Sequence, residues 1–221
     1  MVDGPAGRRV CEHGRMEHPS AEEAFVTLLG ASVVPLLKEH GFRKRKLTFT
    51  RERDGLVDVI NLQRSAGNSH ESIRFYVNCG VYSVEFDRVI GRTPQHRPAE
   101  VDCQYRRRIE SIASGIGPHV TVHADSDVPA AADELRAALT SALAVMGQLR
   151  GPDDIAQSVG SDIDFDVLRY RLATRDESGA REQYTRARSR FGAEDRWPRL
   201  EEQFRKAADF YDVAILDCKL G

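Results

Sequence analysis

The sequence predicts an α+β protein in which one helix precedes an antiparallel sheet of four to five strands, arranged as a meander, and a long helix follows it. Three observations lead to this prediction. Apolar residues recur at helical spacing before position 41, apolar and polar residues alternate through residues 42–84, and helical spacing returns after position 129. Strands grouped together between helices are typical of an α+β fold, not of an alternating α/β fold.

Length and composition limit the class of protein. The 221 residues suffice for one ordinary domain and a smaller helical extension, predicted at residues 20–150 and 151–221 after a flexible leader at residues 1–19. Hydrophobic residues make up 41% of the chain, charged residues 30%, and the net charge is −2. This balance is typical of a soluble globular protein and gives no overall attraction to nucleic acid or to an anionic membrane.

The chain carries no targeting or metal-binding signature. The first twenty residues hold several charges and no apolar run, and no stretch reaches the roughly 20 apolar residues of a membrane span. We therefore expect a cytoplasmic protein with no membrane partner. The four cysteines are far apart in the sequence, which argues against a zinc knuckle or a redox pair. We expect neither a metal nor a cofactor.

The first helix is predicted to begin after Ser20, because Ser20 followed by Glu23 forms a capping box. Pro35 lies inside the helical pattern and predicts a kink or a restart one turn before the helix ends near Gly41. The apolar residues at helical spacing, which should pack on the sheet, are Phe25, Leu28, Leu29, Val33, Leu36 and Leu37.

The first two strands are predicted to form a hairpin. Asp54-Gly55 separates two alternating runs, and this dipeptide accepts the positive φ angles of a type I′ turn. In the first strand, parity places Arg51 on the side of Leu47 and Phe49 unless a bulge intervenes. The two sides of the second strand are Leu56, Ile60 and Leu62 against Val57, Val59, Asn61 and Gln63.

The remaining strands follow the same reasoning. In the third strand, Ile73, Phe75, Val77, Cys79 and Val81 face one side, and Arg74, Tyr76, Asn78 and Tyr82 face the other. Residues 85–100 contain glycine and prolines and should form a long connection. Residues 102–109 are the predicted fourth strand, with Arg106 and Arg108 on the same side, and residues 119–123 are the predicted fifth.

The C-terminal part of the chain is predicted to be helical. A long helix should run from Pro129 to Leu149 and end at Gly151-Pro152, which marks the predicted domain boundary. Beyond it, apolar residues at helical spacing predict antiparallel helices joined by short turns.

The sheet face that points away from the core is the candidate site. If the apolar sides of the strands coincide, seven polar side chains share the opposite face: Asn61, Gln63, Arg74, Tyr76, Asn78, Arg106 and Arg108. Amides both donate and accept hydrogen bonds, arginine grips a carboxylate or phosphate with two N–H groups, and tyrosine adds a stacking surface. The alternative is the ordinary solvated face of an antiparallel sheet.

The sequence favours no catalytic class. A metal-dependent nuclease needs converging carboxylates and usually a lysine, whereas Asp58 in the second strand is followed by no Asp/Glu-x-Lys element in the third. The chain has no Gly-x-Ser-x-Gly elbow, and residues 115–117 are too short for a dinucleotide or P-loop motif. The basic run at residues 43–46 could contact phosphates, but it is more typical of solvated charge between a helix and a strand.

Several spaced motifs resemble a known family. They are Leu37-Lys38, residues 41–44, Phe49-Thr50-Arg51, residues 59–65, Phe75-Tyr76-Val77-Asn78, Cys103 and residues 106–109. Over about residues 22–150 the chain is similar to the domain-of-unknown-function family numbered 4304. The resemblance implies a bacterial, cytosolic α+β domain marked by the Asn-x-Gln strand and the arginine-rich strand, and it implies no activity. Where the family usually has Arg-Ile-Gly, this chain has Arg108-Ile109-Glu110.

These observations lead to a functional expectation. We expect a non-enzymatic binding protein whose polar sheet face engages a small anionic ligand or an acidic protein partner. The alternative is a phosphate-handling enzyme or a nucleic-acid-processing factor that uses the same arginines. A tight pocket with a perturbed carboxylate beside the arginines would favour the enzyme, and an open face would favour a protein partner. Nucleic acid has little further support, because no RNA-recognition or helix-turn-helix signature is present.

Overall fold

The protein begins with a helical segment whose cap is the predicted one. The structure is a computed structural model that describes residues 20–159 and 164–215, so the predicted leader lies outside the described residues. Ser20 Oγ accepts a hydrogen bond from Glu23 N at 3.2 Å, and the Glu23 carboxylate accepts one from Ser20 N at 2.7 Å. The segment consists of α1 (Ala21–Leu28), a π-helical turn (Leu29–Val33) and α2 (Val34–Glu39).

Pro35 explains how the helical segment restarts. It lies in the first turn of α2, directly after the π-helical turn, and it has no N–H group to donate to the Ala31 carbonyl four residues earlier. That oxygen accepts a hydrogen bond from Arg136 instead. The irregularity that the sequence predicts near Pro35 is therefore the π-helical turn just before it, and the chain continues as an α-helix beyond it.

Six strands form one antiparallel sheet in the order β1-β2-β3-β4-β5, and β6 also pairs with β4. Their bounds are β1 (Arg43–Arg45), β2 (Thr48–Arg53), β3 (Leu56–Arg64), β4 (Ser72–Ser83), β5 (Tyr105–Arg108) and β6 (Val120–His123). The other helices are α3 (Val84–Val89), α4 (Val128–Gln148), α5 (Pro152–Val159), α6 (Phe165–Ala173), α7 (Glu177–Phe191) and α8 (Trp197–Phe210). The predicted α+β class is confirmed.

Two details of the sheet differ from a simple meander. The basic run that we expected to be a junction forms β1, which adds a strand at the edge of the sheet. The last strand, β6, does not pair with β5. Because β4 is twelve residues long, its residues 78–81 pair with β5 and its residues 72–75 pair with β6.

The predicted hairpin between β2 and β3 is present. Asp54 has a φ of 40° and Gly55 a φ of 79°, so both central positions have the positive φ of a type I′ turn. The strands pair in continuous register, without a bulge, and Arg51 lies opposite Asp58. Arg51 therefore points to the same side as the core residues of β2.

One face of the sheet forms the main core with α1, α2 and α4. Its hydrophobic cluster joins strand residues such as Phe75 and Ile60 to helix residues such as Leu28 and Leu135, all of which are buried. The rings of Phe25 and Phe75 meet edge to face with centroids 5.2 Å apart. Burial of these side chains is the main force that holds helices and sheet together.

A buried carboxylate ties the sheet to the end of α4. Asp58 is fully buried and accepts four hydrogen bonds of 2.7 to 3.0 Å from the guanidinium groups of Arg51 and Arg53. Arg53 also donates to the carbonyl oxygens of Met146 at 2.7 Å and Leu149 at 2.6 Å. The two arginines thus compensate a buried charge, and Arg53 binds two carbonyl groups at the C-terminal end of α4.

The opposite face is partly covered by the segment of chain after α3. Cys103 lies so close to Gly80 that a Cβ atom at Gly80 would be 2.7 Å from the Cys103 sulfur. The Tyr82 hydroxyl donates to Asp87 Oδ2 at 2.5 Å and accepts from Gln95 N at 2.7 Å. These contacts hold the connection against the β4 end that carries Tyr82, and they leave the other end of this face open.

The C-terminal helices share the core of the sheet. The sheet-side hydrophobic cluster includes Ile155 and Tyr170, whereas a second cluster is built around Leu168 and Phe204. Helix α6 contributes to both clusters, and the predicted domain division after residue 150 stays a prediction. Within the described ranges, no helix is long and apolar enough to cross a membrane.

Candidate functional site: the polar face of the sheet

The strand register brings the predicted site residues to one side of the sheet. Directly opposed residues on antiparallel strands point to the same side. Asn61 lies opposite Asn78, Asn78 lies opposite Arg108, and Gln63 lies opposite Tyr76. These five residues therefore share the face that points away from α1 and α4.

Arg74 and Arg106 join the same face by strand parity. Arg74 precedes Tyr76 by two positions in β4, and Arg106 precedes Arg108 by two positions in β5. Residues two apart in a strand point to the same side. We call these seven side chains the polar face; that they bind a ligand stays a prediction.

Most of the polar face is open to solvent. Its exposed members are Gln63, Arg74, Arg106 and Arg108, its half-buried members are Asn61 and Tyr76, and its buried member is Asn78. The long side chains thus surround a central amide that has little solvent contact. Such a surface can meet a partner without a large rearrangement.

The amides of the polar face bind one another and leave polar atoms free. Asn61 Nδ2 donates to Thr48 Oγ1 at 2.9 Å, and Asn78 Nδ2 donates to Gln63 Oε1 at 3.0 Å. Among the described residues, Gln63 Nε2 forms no hydrogen bond. The pairing fixes the side chains in place, and a donor remains for a ligand.

Arg108 is held by an aromatic ring. Its guanidinium carbon lies 4.3 Å from the centroid of the Tyr76 ring, and the His119 ring meets Tyr76 edge to face with centroids 6.0 Å apart. Cation–π contact of this kind orients a guanidinium group without using its N–H donors. In the part of the chain that the structure describes, Arg108 forms no ion pair.

The other two arginines differ in their surroundings. Arg106 Nε donates to Glu100 Oε1 at 2.9 Å, so this side chain binds the 3₁₀ turn at Glu100–Asp102. The backbone N–H of Arg74 donates a hydrogen bond to Asn68 Oδ1 at 2.8 Å. The Arg74 guanidinium, in contrast, makes no ion pair with any described residue. Arg74 and Arg108 are therefore the better-placed cations of the polar face.

A protein-family model matches the part of the chain that contains the polar face. The model of a domain of unknown function, DUF4304, matches residues 33–147, which is just over half of the chain. The chain belongs to the DUF4304 family. All seven residues of the polar face lie inside the matched segment, and the predicted family membership is confirmed. No curated protein and no solved structure matches the chain.

Sequence reasoning interpreted the basic run at residues 43–46 of this DUF4304 domain as solvated charge and did not predict that it forms a strand. Arg43 lies opposite Thr50 and Arg45 opposite Thr48, on the side of the sheet that carries the polar face. The short strand was hard to recognise because the turn after it contains Lys46 with a φ of 56°, where a glycine or asparagine is usual. The alternation of Arg43 and Arg45 with a threonine pair across that turn is the signal that could have revealed it.

Metal and thiol chemistry find no support in the described residues of this DUF4304 domain. No group of three or more His, Cys, Asp or Glu side chains among them could hold a metal ion. Burial raises the pKa of the Cys79 thiol to about 12, and it raises the pKa of Cys103 as well. Both thiols are therefore protonated at neutral pH and are poor nucleophiles.

Proposed function

We propose that this protein is a non-enzymatic binding protein that engages an anionic ligand or an acidic protein partner through its polar face. The observation that carries the proposal is the state of Arg108. Its guanidinium lies 4.3 Å from the Tyr76 ring centroid and has no ion pair among the described residues. A guanidinium that is oriented but uncompensated presents two parallel N–H donors to a carboxylate or phosphate.

The neighbouring groups add to the recognition of an anion. Gln63 offers an amide donor next to Tyr76, and Arg74 adds a second uncompensated cation on the same strand face. Arg74 and Arg108 lie on neighbouring strands, β4 and β5, so two cations on one face are available to a ligand with several negative charges. The proposal includes a bacterial, cytoplasmic setting, which the family resemblance implies.

An open surface favours binding over catalysis. The exposed side chains of the polar face can meet a protein partner directly, whereas the enzyme alternative calls for a tight pocket with a perturbed carboxylate beside the arginines. Glu100, a carboxylate next to Arg106, is engaged with it in a salt bridge at 2.9 Å. This supports a partner-binding role over the phosphate-handling alternative.

A comparative pull-down from native lysate tests the proposal. The variants are Arg74→Ala with Arg108→Ala, and a matched control, Arg88→Ala with Arg199→Ala, which removes two exposed arginines from α3 and α8. We expect the first variant to lose partners that the wild type and the control retain, and the retained partners to elute with salt because screening weakens exposed charge pairs. Identical partners for all three proteins would overturn the proposal, provided that thermal unfolding shows all three folded.

A further inference from the structure

A second cationic site lies beside β1 on the same side of the sheet. A cavity of about 670 Å³ separates the β1–β2 hairpin from residues 96–99. Glu52 is the acidic side chain in its described lining. The basic side chains that define the cationic cleft are Arg43, Arg45, Lys46 and Arg97. Lys44 also borders the cavity, but it lies opposite Phe49, and its ammonium group is over the Phe49 ring on the core side of the sheet.

The cations of the cleft are not compensated within the described residues. None of the four forms an ion pair with a described residue, whereas the arginines on the other side of β2, Arg51 and Arg53, reach Asp58 at 2.7 and 2.8 Å. Like charges that converge on one cavity raise its positive potential and attract anions. The cleft therefore has the charge of an anion site although the protein has a net charge of −2.

The strand register pairs each arginine with a hydroxyl. Arg43 lies opposite Thr50 and Arg45 opposite Thr48. Each pair offers a guanidinium and an O–H donor to one oxyanion, and the two pairs are about 7 Å apart along the strand. Two linked anionic groups can thus be bound side by side.

The opposite wall of the cleft is fixed. Gln95 N donates to the Tyr82 hydroxyl at 2.7 Å, Ala99 N donates to a carboxylate oxygen of Asp102 at 2.8 Å, and Pro98 between them is buried. Arg97 is therefore carried by a short segment that is anchored on both sides. Charge on β1 alone would be explained as protection of an edge strand against pairing with another chain. That explanation does not account for a cation on a separate segment across the cleft.

We propose that the cationic cleft binds a small molecule that carries two or more linked phosphate groups. Its volume lies in the range of small-molecule sites. Val57 and Ala99 provide apolar surface for the rest of the ligand. The described lining contains no Phe, Tyr or Trp side chain, and the single imidazole of His96 cannot stack successive bases, which disfavours single-stranded nucleic acid. The cleft uses none of the seven residues of the polar face, so either site can fail without the other.

Isothermal titration calorimetry with tripolyphosphate tests this site. We expect saturable binding to the wild type, and binding roughly tenfold weaker or more for Arg43→Ala with Arg45→Ala, because each lost hydrogen bond to a charged group is substantial. Arg97→Ala alone should also weaken binding, since its side chain comes from the other wall. The control variant Arg88→Ala with Arg199→Ala should bind as the wild type does.

Three outcomes would overturn the proposal. The first is the absence of saturable binding of tripolyphosphate to the wild type at physiological ionic strength. The second is unchanged affinity in both the hairpin variant and the Arg97→Ala variant. The third is equally tight binding of citrate, a tricarboxylate, which would show that the cleft responds to charge and does not select phosphate. Circular dichroism spectra of the variants show whether each remains folded, and the substituted side chains are all exposed.

Discussion

Replacing Asp58 by asparagine should destabilise the protein strongly. The side chain has no solvent exposure, and its two oxygens accept four hydrogen bonds from Arg51 and Arg53. Asparagine keeps the size of the side chain but removes the negative charge and presents an NH₂ group to guanidinium donors. The two arginines, each about one-fifth exposed, would then face each other without a counter-charge.

The expected magnitude comes from the loss of one partner in a buried ion pair. Such a loss costs about 3–5 kcal/mol when the remaining charge stays buried. Because Arg51 and Arg53 retain some solvent contact, we expect the lower half of this range, about 3–4 kcal/mol. This is a large part of the roughly 5–15 kcal/mol by which folded domains are stable.

Urea unfolding of the wild type and the Asp58→Asn variant measures the difference through the midpoint and the slope. The matched control is Asp54→Asn, because Asp54 is exposed in the hairpin turn and asparagine accepts its φ of 40°. The control should change the unfolding free energy by less than about 0.5 kcal/mol. A cost below about 1 kcal/mol for Asp58→Asn, with an unchanged slope, would refute the view that this carboxylate anchors the sheet to α4.

Two further predictions concern the covered end of the sheet. Gly80→Ala should lower the free energy of unfolding by about 1–3 kcal/mol, because the new methyl group would lie 2.7 Å from the Cys103 sulfur. The control Gly147→Ala should not destabilise the protein, because a Cβ atom there meets nothing within 4 Å. Equal urea midpoints for the two variants would contradict this prediction. Burial and the hydrogen bond to Asp87 raise the pKa of Tyr82 to about 12, so its stabilisation is complete below about pH 10 and is lost as the pH rises towards 12. The stability difference between wild type and Tyr82→Phe should therefore shrink at alkaline pH, and a constant difference would argue against the shift.

Local signals in the sequence predicted most of the sheet. The Ser20 cap and the Asp54-Gly55 turn depend on neighbouring residues alone, and both are present. Parity placed Arg51 with the core side of β2, and the structure explains why a charge is tolerated there, since Asp58 lies opposite. The alternation of side chains along a strand therefore predicts the side of the sheet on which a residue lies. It does not predict the stabilising partner, because that partner belongs to another strand.

The parts that the sequence did not predict depend on contacts between distant segments. The β1 strand has three residues and no recognisable turn signal, so its charges were interpreted as solvated. Pairing of β6 with β4 depends on the length of β4, which no local pattern reports. The engagement of Arg106 with Glu100 requires a 3₁₀ turn to bring the two side chains together.

The stacking of Phe86 on Tyr170, with ring centroids 4.5 Å apart, links the segment matched by the family model to helix α6. Phe86 belongs to α3, directly before Asp87, whose carboxylate holds the Tyr82 hydroxyl. A protein cut after residue 147 would lose Tyr170 and expose the aromatic side of α3 to water. The surface above β4 therefore depends in part on α6, a helix that lies outside the segment matched by the family model.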